Sequence, residues 1–314
     1  MSDPRAVPRA KRQLLDVHGI LLLDKPVGLS SNAALQRARR LFRARKAGHT
    51  GSLDPLASGL LAVCFGQATK VSALLLDADK TYEASVQLGV TTATGDAEGE
   101  VLARRDASVD EAGLQRALQR FRGEIEQVPP MYSALKRGGR PLYELARRGL
   151  SVERAPRRVT IRELELLQRE GALLRIRLRA SKGTYVRQLA ADLGDVLGTG
   201  AHLAALRRTR VGDFDLGQAV TLEALAGMDE ARRDTLLLPL ERLLGCLPRL
   251  GLEAEQAVKF LAGQAIAVSG AHPGRYQVRR EREDALLGVG ELDEHARLRP
   301  LRLLARVSRA DTSG

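Results

Sequence analysis

The stretch Ala47–Leu61 reads AGHTGSLDPLASGLL and contains one carboxylate, that of Asp54, among glycines and other small residues. Small residues let another chain approach this carboxylate closely. A strongly basic segment precedes it, in which six cations fall within ten positions: Arg37, Arg39, Arg40, Arg43, Arg45 and Lys46. Such a density of positive charge attracts the phosphates of a nucleic acid. The stretch therefore predicts chemistry on a polynucleotide, with Asp54 as the reactive acid.

Asp54 also has a simpler interpretation. An aspartate followed by proline is a common helix start, with the aspartate as N-cap and Pro55 as the first helical residue. The segment is not a phosphate-binding loop of the Gly-Lys-Ser/Thr type, because it lacks that ending. From the residues alone, both the reactive acid and the helix cap remain open.

The composition limits the classes of protein that this chain can belong to. Its 314 residues exceed the usual size of one hydrophobic core, which favours a large domain plus a smaller one. The formal charge of +12 indicates a polyanionic partner. Apolar runs are far shorter than the roughly 20 residues of a membrane span, and we expect a cytoplasmic protein without a membrane partner. The two cysteines, Cys64 and Cys246, suggest buried thiols rather than a disulfide or a zinc site.

The charge and breaker residues divide the chain into parts. Residues 1–17 are basic, contain prolines and show little periodicity, which predicts a mobile arm. Residues 18–247 form the main domain in this interpretation. Within it, residues 126–149 combine Pro, Gly and several cations, as in a mobile loop that clamps a ligand. Residues 248–314 read as a small β-rich module.

Hydrophobic periodicity predicts a mixed α+β fold with mainly antiparallel pairing. Ile20–Leu23 is a short apolar strand, whereas Tyr82–Leu88 and Leu174–Ala180 alternate between apolar and polar residues. In the C-terminal module, short strands are predicted around residues 276–280, 285–289 and 297–304, after a helix at 253–261.

Capping signals place three helices in the main domain. Ser30 or Ser31 begins the basic helix, and Gly48 is suited to end it. The segment Ser108–Glu111 matches a capping box for a second helix. A third helix begins near Val186, directly after the segment Ser181–Arg187.

That segment, SKGTYVR, carries a second candidate residue for the site. Taken alone it is most often a solvated turn. If the fold brought Arg187 to Asp54, however, its charge would favour the ionised acid, and a two-point contact would fix the acid's orientation. A carboxylate nucleophile needs both.

His49 and Tyr82 also have simple interpretations. A single histidine beside glycine is commonly a surface residue, although a loop position before Asp54 also allows it to enter an RNA stack. Tyrosine favours strands, so Tyr82 can be an ordinary strand residue.

Taken together, the motifs of this chain resemble, in sequence order, those of bacterial TruB-type tRNA pseudouridine synthases. The resemblance extends from about residue 10 to residue 215, and a weaker one relates the C-terminal module to the small RNA-binding PUA domain. The matching segments are Gly19–Pro26, Ser30–Asn32, Gly48–Leu61, Lys80–Tyr82, Pro129–Lys136, Ser181–Arg187, Ala201–His202 and Leu206–Arg208.

The resemblance implies an enzyme that isomerises uridine 55 in the T-loop of tRNA to pseudouridine, without a cofactor or metal. It implies a monomer whose partner is the T-arm of tRNA, with an accessory role in tRNA folding. By this resemblance Asp54 is the nucleophile, Arg187 pairs with it, and Tyr82 stacks on the base and takes part in proton transfer.

The resemblance also implies four substrate-binding residues. Tyr185 and Leu206 would line the pocket of the target base. His49 would fill the space that the flipped nucleotide leaves, and Lys25 would support the site.

Two alternatives remain from the sequence. The catalytic subunit of a guide-RNA-dependent pseudouridylation complex shares the same motifs, although residues 91–149 resemble the bacterial insertion that grips the T-loop. A non-catalytic RNA-binding folding factor is the second alternative, and the intact set Asp54, Tyr82 and Arg187 argues against it as the sole role.

Overall fold

The computed structural model describes residues 13–304 with the exception of residues 134, 147 and 151. Most of the predicted basic arm, residues 1–12, lies outside this described part, as do residues 305–314. The described end of the arm is paired with the main domain. The Leu15 N–H donates to the Arg43 carbonyl at 2.8 Å, and the Arg45 N–H donates to the Leu15 carbonyl at 2.9 Å.

The described residues form four sheets. The strands in chain order are β1 (Gly19–Lys25), β2 (Ala47–His49), β3 (Ala57–Phe65), β4 (Lys80–Leu88), β5 (Val90–Thr92), β6 (Val101–Arg104), β7 (Gly123–Gln127), β8 (Lys136–Arg137), β9 (Arg140–Pro141), β10 (Arg157–Glu170), β11 (Leu173–Ala180), β12 (Ala201–Val211), β13 (Phe214–Asp215), β14 (Val220–Thr221), β15 (Arg249–Leu252), β16 (Ile266–Ala267), β17 (Gly274–Arg280), β18 (Ala285–Leu292) and β19 (Arg297–Leu303).

The largest sheet has the strand order β14-β1-β3-β12-β4-β11-β10-β7, with β2 beside β3 and β13 beside β12. Among the described strands of this sheet, β1 pairs with β14 and β3 pairs with β12 in parallel, and the other pairs are antiparallel. The predicted α+β fold with a mainly antiparallel sheet is therefore confirmed. The parallel pair β3 and β12 places the segment after Asp54 beside the segment that contains Leu206.

The described part of the chain contains eight α-helices. They are α1 (Ser31–Leu41), α2 (Ala73–Asp77), α3 (Glu111–Arg120), α4 (Leu142–Ala146), α5 (Val186–Leu197), α6 (Leu222–Gly227), α7 (Glu230–Asp234) and α8 (Ala254–Leu261). Helices α3 and α5 cover one face of the sheet. Their core includes the inward residues of the two strands that the alternation predicted: Ala84, Val86, Leu88, Leu174, Ile176 and Leu178.

The predicted end of the basic helix is wrong. Ser30 caps α1 through its side chain, as the sequence allows, but the helix ends at Leu41 rather than near Gly48. Arg43 takes a left-handed φ of 50°, and the buried Ala44 pairs with Leu15. Gly48 lies in β2 instead. The tertiary pairing of residues 43–49 ends the helix, which the periodicity of the sequence could not show.

The N-cap of α3 is Asp110 rather than Ser108. The Asp110 side chain accepts from the Gly113 N–H, and the helix begins at Glu111. Leu114 and Leu118 face inward as predicted. The shift has a local cause, because Ser108 is held by Asp106 in a separate turn.

The C-terminal module is a five-stranded sheet of order β15-β17-β18-β19-β16, with α8 packed against it. The predicted helix and strands of this module are confirmed. Residues 126–149, predicted as irregular, contain the end of β7, the β8–β9 hairpin and the short helix α4.

The two cysteines differ in environment. Cys64 is buried in β3 as predicted, and burial raises the pKa of its thiol to about 12. The prediction of a second buried thiol is wrong, because Cys246 is exposed. It lies in a turn between a short 3₁₀ helix and β15.

Candidate active site

Asp54 lies in the loop between β2 and β3 and caps no helix. The Ala57 N–H donates to the Asp54 carbonyl at 3.0 Å, and this turn leads directly into β3. The helix-capping interpretation is therefore wrong. The Asp54 side chain is 49% exposed, so a ligand can reach its carboxylate.

Arg187, the second residue of α5, faces Asp54. Its Nη2 atom lies 2.9 Å from Asp54 Oδ2, and the arginine side chain is only 7% exposed. Nη2 also donates to the Tyr132 carbonyl at 2.6 Å, and Nη1 donates to the Thr94 carbonyl at 3.2 Å. These carbonyls fix the guanidinium plane, and the guanidinium in turn orients the Asp54 carboxylate.

Asp96 is a second acid at this arginine, and sequence patterns did not predict it. Its Oδ2 atom lies 3.4 Å from Arg187 Nη1, and its side chain is only 5% exposed. The Thr94 hydroxyl donates to the other Asp96 oxygen at 2.5 Å. Arg187 thus contacts one buried and one half-exposed carboxylate, and only Asp54 is open to a ligand. No local motif marks Asp96, because it meets Arg187 only through the fold.

A cavity of about 310 Å³ opens beside the Asp54 carboxylate. Its walls include Tyr82, Tyr185 and Leu206 together with Arg187. Burial raises the pKa of the Tyr185 phenol, which keeps this hydroxyl neutral at physiological pH. The cavity therefore combines flat and apolar walls with a single accessible carboxylate, as a site that holds a planar base beside a nucleophile requires.

Arg208 supports the loop that carries Asp54. It is only 1% exposed, and its guanidinium donates to the carbonyls of Leu60 at 2.8 Å and Gly51 at 3.1 Å. Gly59 permits the approach of the two strands, because a Cβ atom there would lie 2.3 Å from the Arg208 carbonyl oxygen. A larger residue at position 59 would push β12 away from β3.

Lys25 is fully buried at the end of β1 and does not line the cavity. Its Nζ donates to the Pro26 carbonyl at 2.8 Å and the Leu29 carbonyl at 2.6 Å. Burial lowers the pKa of Lys25 to about 8, and the negative charge of Asp54 opposes part of this shift. Lys80, which lines the cavity, also has its pKa lowered to about 8 by burial.

The lowered pKa of Lys25 predicts a pH-dependent stability. Between about 8 and the usual value of 10.5, the unfolded chain binds a proton that the folded chain does not, so stability rises with pH. In Lys25→Met this contribution is absent. We therefore expect the free energy of unfolding of wild type, minus that of the variant, to increase as the pH rises through this window. Urea unfolding at several pH values measures this difference. A difference that stays constant as the pH rises through this window would contradict the assignment.

His49 lies on β2 opposite Val63 of β3 and outside the cavity lining. Its Nδ1 atom is buried and has no hydrogen-bond partner among the described residues. Burial, followed by the nearby charge of Arg208, lowers the pKa of the imidazole. The ring is therefore uncharged at neutral pH and lies on the strand that leads into the Asp54 loop.

The basic segment before the loop is only partly available to a ligand. Arg39 is turned toward its own chain and donates to the carbonyls of Ala44 and Arg45. Arg43 pairs with Glu230 at 2.5 Å. The exposed cations are Arg37, Arg40, Arg45 and Lys46, of which Arg45 lies 3.3 Å from Asp16.

The described residues contain neither a candidate metal site nor a candidate membrane-spanning helix. None of the clusters of His, Cys, Asp and Glu in residues 13–304, apart from the three gaps, has the arrangement of a metal site. Over the same residues, none of the helices is long and apolar enough to cross a membrane.

Comparisons with known proteins cover almost the whole chain. Residues 39–186 match the TruB family pseudouridylate synthase N-terminal domain. Residues 187–245 match the tRNA pseudouridylate synthase B C-terminal domain, and residues 248–304 match the pseudouridine synthase II TruB C-terminal domain.

Curated relatives named tRNA pseudouridine synthase B are similar over nearly their full length. That of Dechloromonas aromatica is 54% identical and covers 94% of this chain and 98% of its own. The enzyme of Aromatoleum aromaticum is 55% identical, and the match covers 97% of this chain and 98% of the relative. The enzyme of Burkholderia mallei is 56% identical, and the match covers 95% of this chain and 96% of the relative.

Solved structures agree with this fold. An H/ACA RNP bound to a substrate RNA containing 2'-deoxyuridine includes a chain that is 25% identical, with a TM-score of 0.69, and the match covers 92% of this chain and 86% of that one. A chain in a Cbf5-Nop10-Gar1 complex is 26% identical, with a TM-score of 0.69, and the match covers 92% of this chain and 84% of that one. The sequence matches, far stronger than these, show that the chain belongs to the TruB family of pseudouridylate synthases.

Proposed function

We propose that this enzyme converts uridine 55 in the T-loop of tRNA to pseudouridine, with Asp54 as its nucleophile. The observation that carries this proposal is the contact of 2.9 Å between Asp54 and the buried Arg187 at the mouth of the cavity. The relatives at about 55% identity, named as tRNA pseudouridine synthases, support tRNA as the substrate.

The reaction makes three demands on the site. The bond from the uracil nitrogen to the ribose must break, the uracil must rotate while it remains bound, and carbon 5 must then bond to the ribose and lose its proton. Asp54 assists by attacking the ribose or the base, and it is released when the new bond has formed. Arg187 keeps the carboxylate oriented through these steps.

The target base must leave its stack to reach Asp54. In this proposal Tyr82 stacks on the flipped uracil and takes part in proton transfer, while Tyr185 and Leu206 hold the other sides of the base. The supporting observation is that all three residues line the cavity. The neutral ring of His49 can fill the space that the nucleotide leaves. Lys25 supports the site from behind by holding two backbone carbonyls.

RNA binding is assigned to surfaces around this cavity. The exposed cations of α1 bind backbone phosphates, and residues 126–149 close over the T-arm as a clamp. Residues 248–314 act as a PUA-like RNA-binding domain beside the catalytic domain of residues 18–247. Arginines contact the phosphates, and the shape of the folded RNA supplies much of the specificity. A cytoplasmic monomer that also assists tRNA folding completes the proposal.

The guide-RNA-dependent alternative receives weaker support. The chain is only 25–26% identical to the H/ACA structures but 54–56% identical to the tRNA enzymes, over comparable shares of its length. A folding factor without chemistry does not require an exposed acid held by a buried arginine.

The test uses an unmodified tRNA transcript that carries tritium at carbon 5 of uridine. Because the isomerisation releases the hydrogen at carbon 5, wild type should release tritium without a guide RNA or added metal, and the product should map to position 55. Tight tRNA binding without release would favour the guide-dependent or folding-factor alternative.

A further inference from the structure

Ser31 holds the backbone of the residue before Asp54. Its hydroxyl accepts from the Leu53 N–H at 2.7 Å and donates to the Leu53 carbonyl at 2.9 Å. Ser31 is the first residue of α1 and is only 3% exposed. One buried side chain on a helix thus satisfies both backbone groups of a residue in the Asp54 loop.

Gln127 makes the same kind of contact near Arg187. Its Oε1 atom accepts from the Tyr185 N–H at 3.1 Å, and its Nε2 atom donates to the Tyr185 carbonyl at 3.3 Å. Gln127 is the last residue of β7 and is 2% exposed. Tyr185 is the N-cap of α5, but its own side chain makes no capping hydrogen bond. Gln127 therefore holds from β7 both backbone groups of the residue at which α5 begins.

One of these contacts holds the segment of Asp54, and the other holds the segment of Arg187. Asp54 is half-exposed, so packing alone does not fix its loop. Arg187 follows Tyr185 by two residues, and a rotation of the first turn of α5 would move its guanidinium. Misplacement of reacting groups by about 1 Å can lower a rate by about 10²-fold. Small shifts of either backbone would therefore affect the chemical step before they affect the fold.

We propose that Ser31 and Gln127 are positioning residues, which hold Asp54 and Arg187 in their productive arrangement through the backbones of Leu53 and Tyr185. Neither side chain lines the cavity, and both are buried. They act through the backbone and do not touch the substrate. This inference rests on the proposed function, because it assigns the two residues to the chemical step of that reaction.

The test measures the chemical step separately from binding. Ser31→Ala and Gln127→Met are made in the full-length chain, and tritium release is followed in single turnovers at saturating enzyme. We expect the single-turnover rate constant to fall by about 10- to 100-fold in each variant, while the Kd for the tRNA changes by less than about threefold. The rate constant should change without the Kd because neither residue contributes to the surface that binds RNA.

Matched variants separate positioning from general stability. Gln277 is also buried and donates to the Leu244 and Leu247 carbonyls, but it lies in the C-terminal sheet. Thr199 is 3% exposed, and its hydroxyl donates to the Gly200 carbonyl at 3.0 Å outside the cavity lining. Gln277→Met and Thr199→Val should lower Tm but leave the single-turnover rate constant within about twofold of wild type.

Rate constants within twofold of wild type for Ser31→Ala and Gln127→Met would overturn the proposal. So would equal rate losses in the matched controls. If Gln127→Met does not fold, the same rate measurement on Gln127→Asn tests the proposal. The asparagine amide is one methylene group too short to reach both the N–H and the carbonyl of Tyr185.

A further measurement does not depend on activity. Amide hydrogen exchange at Leu53 should become faster in Ser31→Ala, and exchange at Tyr185 should become faster in Gln127→Met. Unchanged exchange would show that the two side chains do not hold these backbone groups. If wild type released no tritium, the proposed function would fail, and this measurement would still decide whether the two contacts hold the site.

Discussion

Asp54→Asn is expected to abolish tritium release, with a fall in the single-turnover rate constant of about 10⁴-fold or more. Asparagine keeps the shape of the side chain but removes the negative charge and the nucleophilic oxygen pair. In a serine protease, loss of the nucleophile lowers kcat by about 10⁶-fold, and the remaining rate comes from the oxyanion hole and substrate binding. The tRNA transcript labelled at carbon 5 measures the change directly.

The fold should tolerate this substitution. Asp54 is half-exposed, and its arginine retains Asp96 and two carbonyls, so the free energy of unfolding should change by no more than about 1 kcal/mol. Asp16→Asn is the matched control, because Asp16 is an exposed aspartate that also lies beside an arginine, at 3.3 Å. It should keep the wild-type rate. Turnover by Asp54→Asn within tenfold of wild type would remove Asp54 from the chemistry.

The parts of this site that the sequence predicted are those with local signals. A glycine-rich loop after a basic segment marked Asp54, and a strand-to-helix junction marked Arg187. Strict alternation along β4 and β11 predicted the sheet on which Tyr82 lies, because a residue's face depends only on its neighbours in sequence. The resemblance to one family joined these separate segments into one site before the fold was known.

The parts that were not predicted depend on contacts between distant segments. Asp96 meets Arg187 from a hairpin about 90 positions earlier in the sequence, and Gln127 reaches Tyr185 across 58 positions. Gly48 looked like a helix end, but pairing of residues 43–49 with their neighbours ends α1 earlier. Each case is a tertiary interaction that overrides a weak local preference.

The Arg187 substitutions separate geometry from charge at the centre of the site. Arg187→Lys retains the positive charge, but a single ammonium group cannot reach Asp54, Asp96 and two carbonyls together. We expect it to fold and to bind tRNA, with the single-turnover rate constant lowered by about 10²- to 10³-fold through loss of Asp54 orientation. Arg233→Lys is the matched control, because the Arg233 guanidinium likewise donates to backbone carbonyls, of which it holds three, but lies at α6 and α7 away from the cavity.

Arg187→Met removes the charge as well and should destabilise the protein, because Asp96 is left buried without its cation. Breaking a buried ion pair in this way lowers the free energy of unfolding by about 3–5 kcal/mol. Adding Asp96→Asn removes the stranded charge, so the double variant should recover part of that stability but none of the activity. Recovery of both would mean that Arg187 serves only to neutralise Asp96. Recovery of stability alone would assign the arginine to the orientation of Asp54, because the same guanidinium that neutralises the buried acid also holds the reactive one.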